Sequence, residues 1–121
     1  MSAFDELSEI APQQLFPGFL ARTIHGERIT LAVVEIDPGG ALPEHHHENE
    51  QLGMVIRGSL TFRVGDEERQ LGPGATWRIP SETPHSATGG PDGAVVLDVF
   101  TPTRDDWKTL HSEDPRPPVW P

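Results

Sequence analysis

Short stretches in which apolar and polar residues alternate, or run apolar for several positions, recur along the chain between clusters of glycine, proline and aspartate. That is the period of β-strands rather than helices. It predicts strands over residues 19–24, 29–36, 51–57, 60–64, 68–71, 75–79, 85–88 and 94–101. Between them lie Asp37-Pro38-Gly39-Gly40, Gly65-Asp66, Gly72-Pro73-Gly74 and Gly89-Gly90-Pro91-Asp92-Gly93, rich in residues that accept turn geometry. One short helix is expected over 103–110, with Thr103 as its N-cap and Asp106 three residues on. The stretch 115–121 is too rich in proline for a regular element and is expected to run over the surface. The fold class is therefore all-β, a small barrel or jelly roll over about residues 18–102 with an irregular tail over about 111–121.

The stretch 51–57 is apolar on both faces, with Gln51, Gly53 and Val55 on one side and Leu52, Met54 and Ile56 on the other. If Gln51 looks into the barrel, the second set looks out and needs cover. Leu7, Ile10, Leu15 and Phe16 of the N-terminal segment offer one cover and a second copy of the chain the other; a homodimer is the expectation carried forward.

Composition narrows the function. A length of 121 residues suits one domain with a single core. There is no apolar run long enough to span a bilayer, and the first ten residues are acidic where a leader would be basic and then apolar, so a cytoplasmic protein is expected. The absence of cysteine removes disulfides, thiol nucleophiles and thiolate ligands, leaving nitrogen and oxygen to hold any metal. A net charge of -10 without a basic cluster argues against a nucleic-acid partner. A small-molecule substrate remains, and an acidic one can be held locally by arginine or by a metal.

His45 and His47 are two apart, so on an extended strand they point the same way while His46 points the other. Gln51 follows shortly, and a lone His85 stands well downstream, after Pro84. Neutral imidazole is the commonest ligand for transition metals, and a distant fourth ligand would complete a set that leaves positions open for chemistry. Glu50 competes with Gln51 on charge, whereas two-residue alternation favours Gln51. Asp98 is the one polar residue in the run 94–100, where an ionised carboxylate is costly unless paired or hydrogen-bonded. It either carries a proton beside the metal or sits at a barrel mouth, solvated or bonded to a neighbouring backbone group. Trp77 is expected in the core or an interface, and Trp107 and Trp120 to pack the C-terminal segment onto the barrel. His25 reads as a turn residue, and Glu44 and Glu48 as rim residues or as groups that orient an imidazole from behind.

From Gly40 to His85 the chain resembles the two-part signature of the cupins. Its first part is Pro43-Glu44-His45-His46-His47-Glu48-Asn49-Glu50-Gln51 and then Gly58; its second is Gly74, Pro80 and His85. The resemblance implies a cupin barrel and one divalent transition metal (Zn, Ni, Fe, Mn or Cu) on His45, His47, Gln51 and His85. It departs from the common pattern where Glu82 replaces a glycine and Gly89 an asparagine. The stretch Asp98-Val99-Phe100-Thr101-Pro102-Thr103-Arg104 further resembles the KdgF-type pectin-degradation cupins, which open or linearise unsaturated uronate sugars without redox chemistry. That similarity implies Asp98 and Arg104 as catalytic residues, with Phe100 and Arg104 binding substrate: Arg104 as a fork for a carboxylate, Phe100 as a flat wall, Asp98 as proton carrier. By themselves, Arg104 reads as an exposed helix-start residue pairing with Asp105, Asp106 or Glu113, and Phe100 more readily as core. The expected function is a metal-dependent lyase or isomerase acting on an unsaturated uronate or similar carbonyl acid. The alternatives are a cupin dioxygenase and a non-catalytic binding protein.

Overall fold

A computed structural model describes residues 2–121. Eight strands form one continuous antiparallel sheet: β1 (Gln13–Phe16), β2 (Phe19–His25), β3 (Thr30–Ile36), β4 (Ala41–His45), β5 (Glu50–Val64), β6 (Glu67–Leu71), β7 (Thr76–Ile79) and β8 (His85–Thr101). The order is β1-β2-β3-β8-β5-β6, with β4 added to β8 and β7 to β5. β5 and β8 are the spine. The first half of β5 pairs with β7 and with the second half of β8; its second half pairs with β6 and with the first half of β8. The expected all-β barrel is what the chain forms.

Alternation sets the core. Thr30, Ala32, Val34 and Ile36 of β3 are buried, as are Ala94, Val96, Asp98 and Phe100 of β8, and they face each other in register. A slip of one residue would turn one of these sets to the outer face and leave the other without its partners.

Several sequence expectations change. The breaks expected at residues 58–59 and 89–93 are bends within single strands: Gly90 to Gly93 bulge opposite Ser59, between the pairs Gly58↔Ala94 and Leu60↔Gly89. Gly58 has φ 76°, and a side chain there would overlap the Gly93 carbonyl, so glycine lets the two strands cross the bend together. β1 and β4 were not expected; β4 contains Pro43, which a strand edge tolerates. The helix expected over 103–110 is only a 3-10 turn, Asp105–Thr109. Its N-cap is Arg104 rather than Thr103, because the Arg104 amide donates back to Thr30 Oγ1 (2.9 Å) and the Thr103 hydroxyl donates to Asp105 Oδ1 (2.8 Å).

The proline-rich tail crosses the outer face as an irregular strap. Arg22 donates to the Arg116 carbonyl (3.1 Å) and pairs with Glu35 (2.6 Å), which accepts from the Val119 amide (3.1 Å). Leu52 (48% exposed) and Met54 (37%) remain bare on that face. The N-terminal segment does not cover them: Leu15 and Phe16 line the inner cavity instead. No helix among the described residues is long and apolar enough to cross a membrane.

Candidate metal centre

His45 ends β4 and His85 begins β8, where they are partners across the two strands, and His47 follows in the loop to β5. The ring centroids lie 4.2 Å apart for His45 and His85, 4.9 Å for His47 and His85, and 5.7 Å for His45 and His47. One ligand atom from each falls within 4.8 Å of the others, a triad suited to a metal ion.

Backbone carbonyls fix which nitrogen each ring presents. The Nδ1–H of His45 donates to Pro43 O (3.1 Å), that of His47 to Asn49 O (2.9 Å) and that of His85 to Thr83 O (2.8 Å). A carbonyl only accepts, so each Nδ1 carries the proton and each Nε2 keeps a free lone pair. Burial favours the uncharged rings. It lowers His47 below its ordinary value, Arg104 adding to the effect, and takes His85 down to about 4. His47 Nε2 thus directs a lone pair at Gln51 Oε1, 3.2 Å away, and two acceptors facing each other is the arrangement expected of two ligands to one cation.

The Gln51 amide is oriented from behind. Its Nε2 donates to Asp98 Oδ1 (2.9 Å), which also accepts from Trp77 Nε1 (3.0 Å). Asp98 is 7% exposed, and burial pushes its carboxyl up to about 6 against the opposing pull of these hydrogen bonds and of Arg104. Its Oδ2 has no hydrogen-bond partner among the described residues, and Asp98 lines the cavity. A solvated carboxylate at a barrel mouth is therefore not what the chain builds.

Arg104 is 8% exposed, stacked over Trp107 (4.0 Å to the ring centroid) and Phe100 (4.8 Å). Its Nε and Nη2 donate to the two oxygens of Asp106 at 3.1 and 2.9 Å. One side of the fork is thus taken by Asp106, and Nη1 is the nitrogen left free. Phe100 is core, packed on Trp107, and also stands 5.9 Å from the His47 ring. These groups share a cavity of about 530 Å³.

Sequence reasoning missed three contributors. Asn49 is buried and donates to Pro102 O (2.5 Å), tying the His47 loop to the Arg104 segment. Trp77, read as core, holds Asp98. Gly53 lies opposite both Trp77 and Asp98, and a Cβ there would overlap Trp77 Nε1 and Asp98 Oδ1. Gly53→Ala is expected to destabilise the fold by about 1–3 kcal/mol through overpacking, read as a lower urea midpoint at unchanged slope. An unchanged midpoint would contradict the packing described.

The family model for the cupin domain matches residues 32–100. The chain belongs to the cupin family. Among solved structures this cupin is similar to KdgF from Halomonas sp., at 30% identity and TM-score 0.80, covering 88% of this chain and 98% of that one. It is also similar to an RmlC-like cupin from Shewanella frigidimarina, at 20% identity and TM-score 0.80, over 88% and 96% of the two chains. Oxalate decarboxylase from Bacillus subtilis matches at 23% identity and TM-score 0.75 over 89% of this chain but 31% of its own, and shares the fold. Among curated proteins none matches significantly by sequence.

Both departures from the common cupin pattern now have physical accounts. Glu82 adopts φ 64°, a backbone that glycine takes without strain; its amide donates to His47 O (2.8 Å) and its carboxylate meets His46 Nδ1 (3.0 Å). At Gly89 any Cβ would overlap the Asp37 carbonyl, so this cupin has no room for asparagine there.

Proposed function

We propose that this chain is a single-domain, metal-dependent cupin enzyme that converts a small acidic carbonyl compound by proton transfer without redox chemistry. The observation that carries the reading is three buried or half-buried imidazoles, each with Nδ1 tied to a backbone carbonyl, converging beside a carboxylate in one cavity. His45, His47, His85 and Gln51 would hold the ion. When bound, a divalent metal polarises a substrate oxygen as a Lewis acid. The free edge of Arg104 receives the substrate carboxylate, Phe100 and Trp107 keep that guanidinium in place, and Asp98 takes or gives the proton at Oδ2. The similarity to KdgF makes an unsaturated uronate one candidate substrate.

Protein loaded with zinc, nickel or manganese is expected to convert unsaturated galacturonate or a related carbonyl acid at equal rates in air and under argon. Oxygen uptake in step with conversion would replace this reading by the dioxygenase one. Tight ligand retention with no turnover would replace it by binding alone.

The proposal includes a homodimer, supported by the bare face on which Leu52 and Met54 lie beside Ile24, Leu31, Leu97 and Val99. Leu52→Glu is expected to halve the mass seen by light scattering, and a wild type that is already monomeric would remove the dimer.

A further inference from the structure

Gln51 pairs with Phe100 across β5 and β8, Gly53 with Asp98, and Val55 with Val96; on β3, Ala32 faces Asp98 and Val34 faces Val96. Each step of two residues moves about 6.6 Å along the barrel. The metal ligands and Phe100 form one layer and Asp98 the next. Past Asp98 the same cavity continues between Val34, Val96 and Ile36 on one side and Leu60, Phe62 and Ala87 on the other. None of these side chains offers a hydrogen bond. The rim is little different. Leu15 and Phe16 of β1 and Leu42 and Pro43 of β4 line it, two strands that do not pair with each other, with Glu44 beside them.

The polar side chains are few and mostly committed. Three imidazoles and Gln51 make up the metal set, Trp77 is used by Asp98, and Asp106 by Arg104. What remains for a ligand is Asp98 Oδ2, the free edge of Arg104 and Glu44 at the rim. A sugar acid brings a ring of hydroxyl groups, and each one buried without a partner costs roughly 5-fold to 150-fold in affinity.

We infer that the preferred ligand is a small carboxylic acid with an apolar limb: the oxygen-bearing head lies at the three histidines and Arg104, and a branched aliphatic or aromatic body fills the chamber walled by Val34, Ile36, Leu60 and Phe62. This rests on the reading of the site given above and chooses among its substrates, placing acids with a hydrocarbon body ahead of uronates. Each methylene moved from water into the chamber strengthens binding about 4-fold.

Calorimetric titration of the full chain, loaded to one equivalent with zinc, tests this with pyruvate, ketovaline, ketoleucine, phenylpyruvate and galacturonate. Affinity is expected to climb from pyruvate to ketoleucine by roughly 50-fold, with an increasingly negative heat-capacity change, and galacturonate to bind more weakly than ketoleucine. Leu42→Ser, half-buried and paired across the strands with Ala87 of the chamber wall, is expected to flatten the series while leaving pyruvate, which has no limb to reach the chamber, within about twofold of wild type. A flat wild-type series, or galacturonate as the tightest ligand, overturns the inference and leaves the acid-binding metal site standing. Failure of every acid to bind overturns both.

Discussion

Replacing His85 by alanine is expected to abolish stoichiometric binding of a divalent metal, with a loss beyond the about 10-fold to 100-fold that follows removal of an outer-shell partner. His85 is 2% exposed, is held by Thr83 O, and stands between the other two imidazoles at 4.2 and 4.9 Å. Its removal leaves two imidazoles and a neutral amide, a weaker donor than the third imidazole or carboxylate that completes three-ligand sites. His46→Ala is the control. His46 lies on the outer side, bonded to Glu82, and its loss should leave metal content unchanged. Metal analysis of stripped and reconstituted proteins reads both outcomes, and a His85→Ala protein that still takes up one equivalent would contradict the assignment.

Asp98→Asn is expected to keep the metal and lose turnover by about 10²-fold to 10⁴-fold, the usual worth of a positioned proton carrier. Asparagine retains an Oδ1 able to accept from both Gln51 Nε2 and Trp77 Nε1, so the Gln51 amide stays aimed at the imidazoles. What changes is the atom at Oδ2, which no longer ionises. Turnover within a few-fold of wild type, with metal in place, would remove Asp98 from the chemistry.

The same substitution reshapes stability against pH in the metal-free protein. Burial raises Asp98 from 3.8 to about 6, so its contribution is fully present below 3.8 and is lost as pH rises through 6. Burial lowers His85 from 6.5 to about 4, so its contribution is present above 6.5 and is lost as pH falls through 4. His47 is shifted in the same sense as His85. Between pH 4 and 6 the Asp98 slope opposes those of the two histidines, so wild type should change less there than a variant lacking the Asp98 carboxyl. Asp98→Asn removes one slope: it should gain up to about 3 kcal/mol at neutral pH and then lose stability steadily on acidification, as followed by urea unfolding at each pH. Parallel pH curves for the two proteins would contradict the burial of an ionisable Asp98.

Much of the fold was legible because the short apolar runs of β3 and the second half of β8 are bounded by turn-forming residues, which marks strands even where both faces are apolar. Where it failed, the residues were ambiguous in kind. Gly89 to Gly93 reads as a turn, and the same conformational freedom serves a bulge inside β8. β4 hides behind Pro43, and the expected helix gives way because the Arg104 amide is drawn to Thr30. In the site, the histidines and Gln51 stood out by their spacing, although only His45 lies at a strand end as the alternation assumed: His47 is in the loop after β4 and is turned inward by its hydrogen bond to Asn49 O. Gly53, Asn49 and the hold of Trp77 on Asp98 did not stand out, because each acts by what it lies opposite, by a long-range hydrogen bond to Pro102, or by a hydrogen bond reaching across the barrel wall.

The central claim is that His45, His47, His85 and Gln51 grip one divalent ion through three Nε2 atoms and one amide oxygen. X-ray absorption on the protein loaded with one equivalent of zinc tests it most directly. The account expects a first shell of nitrogen and oxygen at about 2.0–2.1 Å with outer-shell scattering from three imidazole rings. A shell without imidazole scattering, or an ion that washes away from the wild-type chain, would contradict it.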